Sequence, residues 1–312
     1  MTLQIMNTRS IKISTSTALL GLAFSFLLGT NATAQQHPSL DNYLFSPVQL
    51  SPAHAGMQTT DIVSLLDAQW VGVDGAPRTG LLSYDYSTTR GLGFNVSILN
   101  DQVGPVVTNQ FGLSAAYHLP LGPEGTLSTG LRLNVGQTTV GLIDERYNDL
   151  LDAMIYDLQG PMMLNVDLGI TYEYSGFYTG FAYKNANRGA LYNSTLAAQT
   201  LQVFAGGTVK LGEHMDLKPS TVVNFTGNAP ADLNLNMAIR HAKTWSFGVH
   251  YSPADETGFF LQTQTKEAWN AFYQYNFPLT ELLYVTNTSH VIGVGINLQS
   301  KVHNVESPRY FL

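Results

Sequence analysis

No cysteine occurs in the 312 residues, so disulfides, thiolate nucleophiles, iron–sulfur clusters and thiolate zinc sites are excluded at once. Charge is scarce as well. Only 12% of the residues are Asp, Glu, Lys or Arg, about half the roughly 25% of an ordinary globular chain. The apolar fraction is an unexceptional 44%, so uncharged polar residues, chiefly Gly, Asn, Thr, Ser and Gln, stand where charges usually do. The charges present sum to −7, which argues against a basic surface for nucleic acid. Long apolar runs are lacking too, with one exception. Arg9 and Lys12 precede an apolar run from Ala18 to Leu28, and Ala32-Thr33-Ala34 follows with the small residues of a cleavage site. That run is shorter than the roughly 20 residues of a membrane-spanning helix. Residues 1–34 therefore read as a signal peptide. Its removal takes away Arg9 and Lys12 and no carboxylate, leaving 13 basic residues against 22 acidic ones.

What the chain does have is a two-residue period. From Thr126 to Gln137, Leu127, Thr129, Leu131, Leu133 and Val135 fall on one face and Ser128, Gly130, Arg132, Asn134 and Gly136 on the other. Between Met163 and Tyr174 the alternation repeats, with Asp167 and Glu173 both on the polar side. Leu233 to Arg240, Trp245 to Ser252 and Ile292 to Leu298 follow the same rule. A soluble sandwich also alternates, but three features favour a membrane barrel. The strands reach about 10 residues, the length of a tilted transmembrane strand. Aromatics such as Tyr172, Tyr174, Tyr251, Tyr273, Tyr275 and Phe277 cap the apolar faces, where interfacial girdles lie. Asp85, Arg132, Asp167, Glu173, Lys184, Lys210 and Arg240 all sit on polar faces, which leaves the other faces suited to lipid. Unpaired backbone groups in lipid are costly, so such a sheet must close on itself.

The expected fold is thus an all-β, transmembrane antiparallel up-and-down β-barrel of about 14 strands over residues 62–299. It is preceded by a segment 35–61 and followed by a tail 300–312. With the first strand starting near Ile62 in the periplasm, the even connections should be short. They read as Ser87 to Arg90, Leu119 to Gly125, Ser175-Gly176, Gly212 to His214, His241 to Thr244 and Thr265 to Glu267. The odd connections, notably Thr139 to Pro161, Asn185 to Thr200 and Pro278 to Thr288, are longer and would lie outside the cell.

The motif search finds no chemistry: no phosphate-binding loop of the Walker type, no HExxH and no Gly-x-Ser-x-Gly. Gly91-Leu92-Gly93 lies inside an alternating strand, where glycine serves close packing. His118, His250 and Ser289-His290 could be combined into a hydrolase only if a base were oriented by a partner, and no spacing implies one. No enzyme, cofactor or metal is expected.

Several dense motifs remain that strand periodicity does not explain. They are Tyr43-Leu44-Phe45-Ser46-Pro47, Leu50-Ser51-Pro52-Ala53-His54-Ala55-Gly56, Gln69-Trp70-Val71-Gly72-Val73-Asp74-Gly75-Ala76-Pro77 and Asn100-Asp101-Gln102-Val103-Gly104-Pro105. Leu217-Lys218-Pro219-Ser220, Gly227-Asn228-Ala229-Pro230 and Asp232 to Asn236 follow downstream. With these the chain resembles the PorP/SprF family of outer-membrane proteins associated with type IX secretion, over nearly the whole length after the signal peptide. Ser51 and His54 depart from the Asn and Tyr common in the family pattern.

The resemblance implies a non-enzymatic protein in the outer membrane of a Gram-negative bacterium. It would take part in secreting cargo proteins, in some members retaining gliding adhesins at the cell surface, together with periplasmic secretion proteins. The motifs on odd connections supply the candidate partner-binding residues Trp70, Asp74, Gly75, Pro77, Asn100, Asp101, Gly104, Pro105, Asn228 and Pro230, with Tyr43 and Phe45 from the N-terminal segment. Turn geometry alone would account for Gly75, Pro77, Gly104 and Pro105. Leu40 to Gly56 lacks alternation and holds Pro47, Pro52 and Gly56, yet it is too apolar for a loose tail. It is expected to be buried, either in the lumen as a plug or against a periplasmic partner. A competing reading is a passive porin or hydrophobic-solute transporter whose lumen is lined by Arg132, Asp167, Glu173, Lys184, Lys210 and Arg240.

Overall fold

In the computed structural model the residues described are 41–57, 60–141, 158–187, 198–227, 229–253, 255–265, 268–279 and 288–298. The signal peptide assigned to 1–34 and the tail 300–312 lie outside them. The strands are β1 (Asp61–Ala68), β2 (Arg78–Ser87), β3 (Leu92–Val103), β4 (Val106–Leu121), β5 (Gly125–Val140), β6 (Leu158–Gln159), β7 (Met163–Tyr174) and β8 (Phe177–Lys184). They continue with β9 (Thr200–Gly207), β10 (Val209–Lys210), β11 (Met215–Thr226), β12 (Asp232–His241), β13 (Trp245–Tyr251), β14 (Glu256–Gln264), β15 (Trp269–Pro278) and β16 (Ser289–Asn297). Each long strand pairs antiparallel with its sequence neighbours. Two further pairings shut the ring: β1 with β16, and β9 with β11 from Ser220↔Gly206 to Thr226↔Thr200. The result is a closed barrel of 14 strands, with β6 and β10 as two-residue additions to β5 and β11. Pro219, which has no N–H to give a ladder, sits where the β9 pairing stops and the β10 pairing has yet to begin.

The faces separate as the alternation requires. Leu168 is 46% exposed and its neighbour Asp167 only 4%. Leu133, Leu235 and Val294 face outward with it, so the outside is an apolar belt and the polar residues point in. Connections 88–91, 122–124, 175–176, 242–244 and 265–268 at one end are short, while 69–77, 141–162, 185–199 and 279–288 at the other are long. The parity is incomplete. At the long-loop end, connections 104–105, 227–231 and 252–255 are tight, because strand continues further than alternation alone indicates. Asn100 to Val103 belong to β3, and only Gly104-Pro105 turns.

The lining departs from expectation in two respects. Inward positions of β4, β5 and β7 are polar, among them Ser114, Ser128, Arg132, Asp167, Thr171 and Glu173. Across the lumen, Val63, Leu65, Leu81, Phe204, Val222, Phe260, Phe272 and Val291 form an apolar inner wall. Lys210 is not in the lumen proper; it is exposed on β10 at the rim, opposite Asp216.

Candidate functional site

The lumen is occupied by the chain's own N-terminal segment. Three short 3-10 turns, Asp41–Leu44, Pro47–Gln49 and Pro52–His54, precede β1. Tyr43, Leu44, Phe45, Val48, Leu50, Ala53 and Ala55 are all buried there. Prolines at the first positions of the second and third turns preset the backbone, and Ser51 caps the third by accepting from Ala53 N–H at 3.2 Å. One side of this plug meets the apolar wall: the Phe45 ring lies 5.5 Å from that of Phe272. The other side rests on a row of small residues in register across five strands, Gly93, Ala116, Gly130, Gly169 and Ala182. A Cβ on Gly93 would overlap the Ala55 carbonyl, on Gly130 the Pro52 backbone, and on Gly169 the Ser51 hydroxyl. Glycine is needed at these wall positions because plug backbone occupies the space a side chain would take.

The polar side chains of the wall satisfy the plug's backbone. Arg132 donates through Nη2 to the Val48 carbonyl and through Nε to Ser114 Oγ at 2.9 Å, while Nη1 stands 4.0 Å from Asp167. Lys184 Nζ donates to the Gln49 carbonyl at 3.1 Å. His118 Nε2 lies 3.0 Å from the Ala55 carbonyl, which can only accept, so Nε2 carries the proton and Nδ1 accepts from Ser128 at 2.9 Å. By the same reasoning His54 donates from Nδ1 to the Pro47 carbonyl at 3.1 Å and accepts at Nε2 from Thr171 at 3.3 Å. Gly56 N–H, at the end of the plug, donates to Asp85 at 3.2 Å. Buried peptide groups without such partners would cost about 1–3 kcal/mol each. Of the residues that the sequence suggests as a channel lining, Arg132 and Lys184 are thus hydrogen-bond donors to the plug and Asp167 stands behind Arg132, whereas Arg240 pairs with Asp216 near the short-turn end.

At the long-loop end a second constellation forms. Trp70 takes a left-handed φ of 47°, unusual for a bulky residue, and donates its N–H to Ser289 Oγ at 3.2 Å. Around it, Val71 N–H reaches the Thr288 carbonyl, Gln69 N–H the Pro77 carbonyl, and Gly104 N–H the Gly75 carbonyl, at 2.9, 3.0 and 2.8 Å. Gly141 N–H closes on the Pro105 carbonyl at 2.8 Å. The loop 69–77 is therefore braced to β16 and to the β3–β4 turn, and it presents Val71, Asp74 and Gly75 outward. Asp67 on β1 and Asp101 on β3 flank Thr79 in one register row at this end, and Asp255, in the β13–β14 connection, and Asp232, at the start of β12, stand further round the ring. Burial first, and then the nearby Asp232, push the loop residue Asp255 above the ordinary carboxylate range.

The structure divides the candidate residues into three groups. Trp70, Asp74, Gly75, Pro77, Gly104 and Pro105 come together in the braced loops, with Asn100 exposed on β3 and Asp101 buried, accepting from Thr79 Oγ1 at 2.6 Å. Pro230, between β11 and β12, is at the same end but on the far side of the ring; Asn228 lies outside the described residues. Tyr43 and Phe45 face the lumen wall, Tyr43 OH accepting from Asn236 Nδ2 at 2.6 Å and lying 3.2 Å from Ser220 Oγ. The histidines and serine that could suggest a hydrolase are dispersed over β4, β13 and β16, and Ser128, beside His118, is fully buried under the plug. Sequence reasoning missed the small-residue row. Its trace is the recurrence of Gly or Ala on the polar faces of β3, β4, β5, β7 and β8.

The toluene transporter TbuX of Ralstonia pickettii shares the architecture at 13% identity, with a TM-score of 0.51 over 86% of this chain and 96% of that one. The outer membrane protein Omp33 of Acinetobacter baumannii is 10% identical over 78% of this chain and 99% of that one, at a TM-score of 0.48. At such identities the likeness is one of fold. No curated protein sequence matches the chain. Residues 32–296 match the type IX secretion system membrane protein family PorP/SprF. A closed barrel with an apolar outer belt and this family match is an outer-membrane protein, and the chain belongs to the PorP/SprF family.

Proposed function

We propose that the barrel is a non-catalytic outer-membrane component of type IX secretion, binding or retaining secreted cargo or adhesins at its long-loop mouth and meeting periplasmic secretion proteins at its short-turn end. The observation that carries this reading is the filled lumen. Arg132, Lys184 and His118, which in an open pore would face water, are engaged with plug carbonyls. A barrel so occupied suits a scaffold that must not leak. The braced loop 69–77 supports the mouth as the contact face, since a surface already ordered loses little freedom on binding.

A second reading, passage of a hydrophobic solute, draws support from the apolar inner wall around Phe204, Phe260 and Phe272, which would be uncovered if the plug withdrew. One pair of measurements separates them. Purified full-length protein in a planar bilayer should not conduct ions, and affinity capture from intact cells should recover a secreted protein together with periplasmic secretion components. Steady conductance with no protein recovered would overturn the secretion reading in favour of a porin or transporter.

A further inference from the structure

Among the described residues the mouth is short of hydrogen-bond donors. Asp67, Thr79 and Asp101 lie in one register row across β1, β2 and β3, and the row continues through Val291 to Gln274 on β15. Among the described residues its carboxylates are met only by neutral donors: Gln69 Nε2 at 3.3 Å on Asp67 and Thr79 Oγ1 on Asp101. Asp232 accepts from Asn224 and Asn234 at 2.9 and 3.0 Å. Among the described residues no lysine or arginine pairs with any of Asp67, Asp101, Asp232 or Asp255, although two arginines elsewhere in the barrel are close to carboxylates.

Beside these groups are buried acceptors with nothing to accept. Gln274, 1% exposed, gives its Nε2 to Asn276 and leaves Oε1 without a partner. Asn234, 3% exposed, gives its amide to Asp232 and leaves Oδ1 likewise. Buried acceptors that lack partners cost stability, and a surplus of them around four carboxylates is complementary to a ligand made of cationic N–H donors.

We propose that the long-loop mouth takes up lysine or arginine side chains of a polypeptide partner between Asp67, Asp101, Asp232 and Asp255. This rests on the secretion reading for the partner's identity as a secreted chain, but not for the site itself. A metal ion fits less well, because among the described residues no three acidic or histidine side chains converge closely enough to hold one. Access is graded: Asp232 and Asp255 are half-buried at the rim, Asp67 and Asp101 deeper. A long flexible cation can follow that path, with its head reaching the deeper carboxylates and its stem against the wall.

The test uses full-length protein in detergent micelles and a fluorescein-labelled nona-arginine peptide, read by fluorescence anisotropy at near-physiological salt. The Asp232→Asn/Asp255→Asn double variant keeps side-chain shape and should weaken binding by at least about tenfold. Glu124→Gln/Glu213→Gln, two exposed carboxylates at the short-turn end, should leave binding unchanged. Equal affinity in all three proteins, or equal loss in both variants, would overturn the proposal by making the attraction non-local. Displacement of the peptide by micromolar calcium would overturn it in favour of a metal site. Asp232→Asn alone should fall between the wild type and the double variant, which protects the test against one misfolded variant. Asp-dependent peptide binding without any cargo recovered from cells would leave this site standing and remove the secretion reading. Cargo recovery with Asp-independent peptide binding would do the reverse.

Discussion

Gly130 and Gly80 are both strand glycines, yet a methyl group has opposite consequences at the two. At Gly80 the nearest atom to an added Cβ is the Asn100 carbonyl oxygen at 4.0 Å, an ordinary contact, whereas at Gly130 the Cβ would overlap the backbone of Pro52 in the plug. Gly130→Ala must displace the plug or bend the wall and should destabilise by about 1–3 kcal/mol, the range for overpacking. Gly80→Ala should change stability by less than about 0.5 kcal/mol. Denaturant titration of the two variants checks the ranking, and single-channel recording should find openings in Gly130→Ala alone. If both behave like wild type, the plug does not rest on this row. Such contacts are hardly legible in sequence. Gly130 stands on the polar face as alternation requires, but the atom it must avoid is contributed by a residue far back in the chain, and nothing local records the approach. Tyr43 and Phe45 are the converse: their apolar character in a proline-broken segment shows that they need burial, and only the fold shows where.

The strands themselves were readable, because a barrel between lipid and a mostly polar interior writes its two faces as alternating residues. β5, β7 and β12 follow that rule closely. It fails where both faces are apolar. Leu65-Leu66, Leu81-Leu82, Val222-Val223 and Phe259-Phe260-Leu261 each put one residue into the inner wall and its neighbour on the outside, and these doublets are the trace of the plug's apolar seat. Asn100 to Val103 was hidden for a different reason. Polar residues near a turn resemble a loop until the partner strand, here Val106 to Asn109, is seen to pair with them. The outer belt makes a depth prediction. Leu168→Arg, in the middle of β7, should cost about 2–4 kcal/mol, and Leu121→Arg, at the short-turn end of β4, about 0–1 kcal/mol. Refolding into lipid vesicles measures both, and equal costs would mean that the belt does not lie at the depth its geometry implies.

For the molecule as a whole, the absence of cysteine makes orientation simple to test, since one introduced thiol is the only one that can be labelled. Asp74 is exposed on a long-loop connection and Glu124 on a short one at the opposite end. With the long loops outside the cell, Asp74→Cys should react with an impermeant maleimide on intact cells, and Glu124→Cys only after the outer membrane is permeabilised. The reverse pattern would invert the barrel and move the acidic mouth into the periplasm. The pairing of β1 with β16 carries a consequence of another kind. The wall cannot be sealed until the last strand has been made, whereas the segment that fills the bore comes before the first. The plug can therefore serve as a mandrel on which β3, β4, β5 and β7 are laid in chain order, Gly93 first and Gly169 last. Damage to its seat would then be expressed during insertion into the membrane, as unfinished barrels awaiting their closing strand, earlier than any fault in the finished protein.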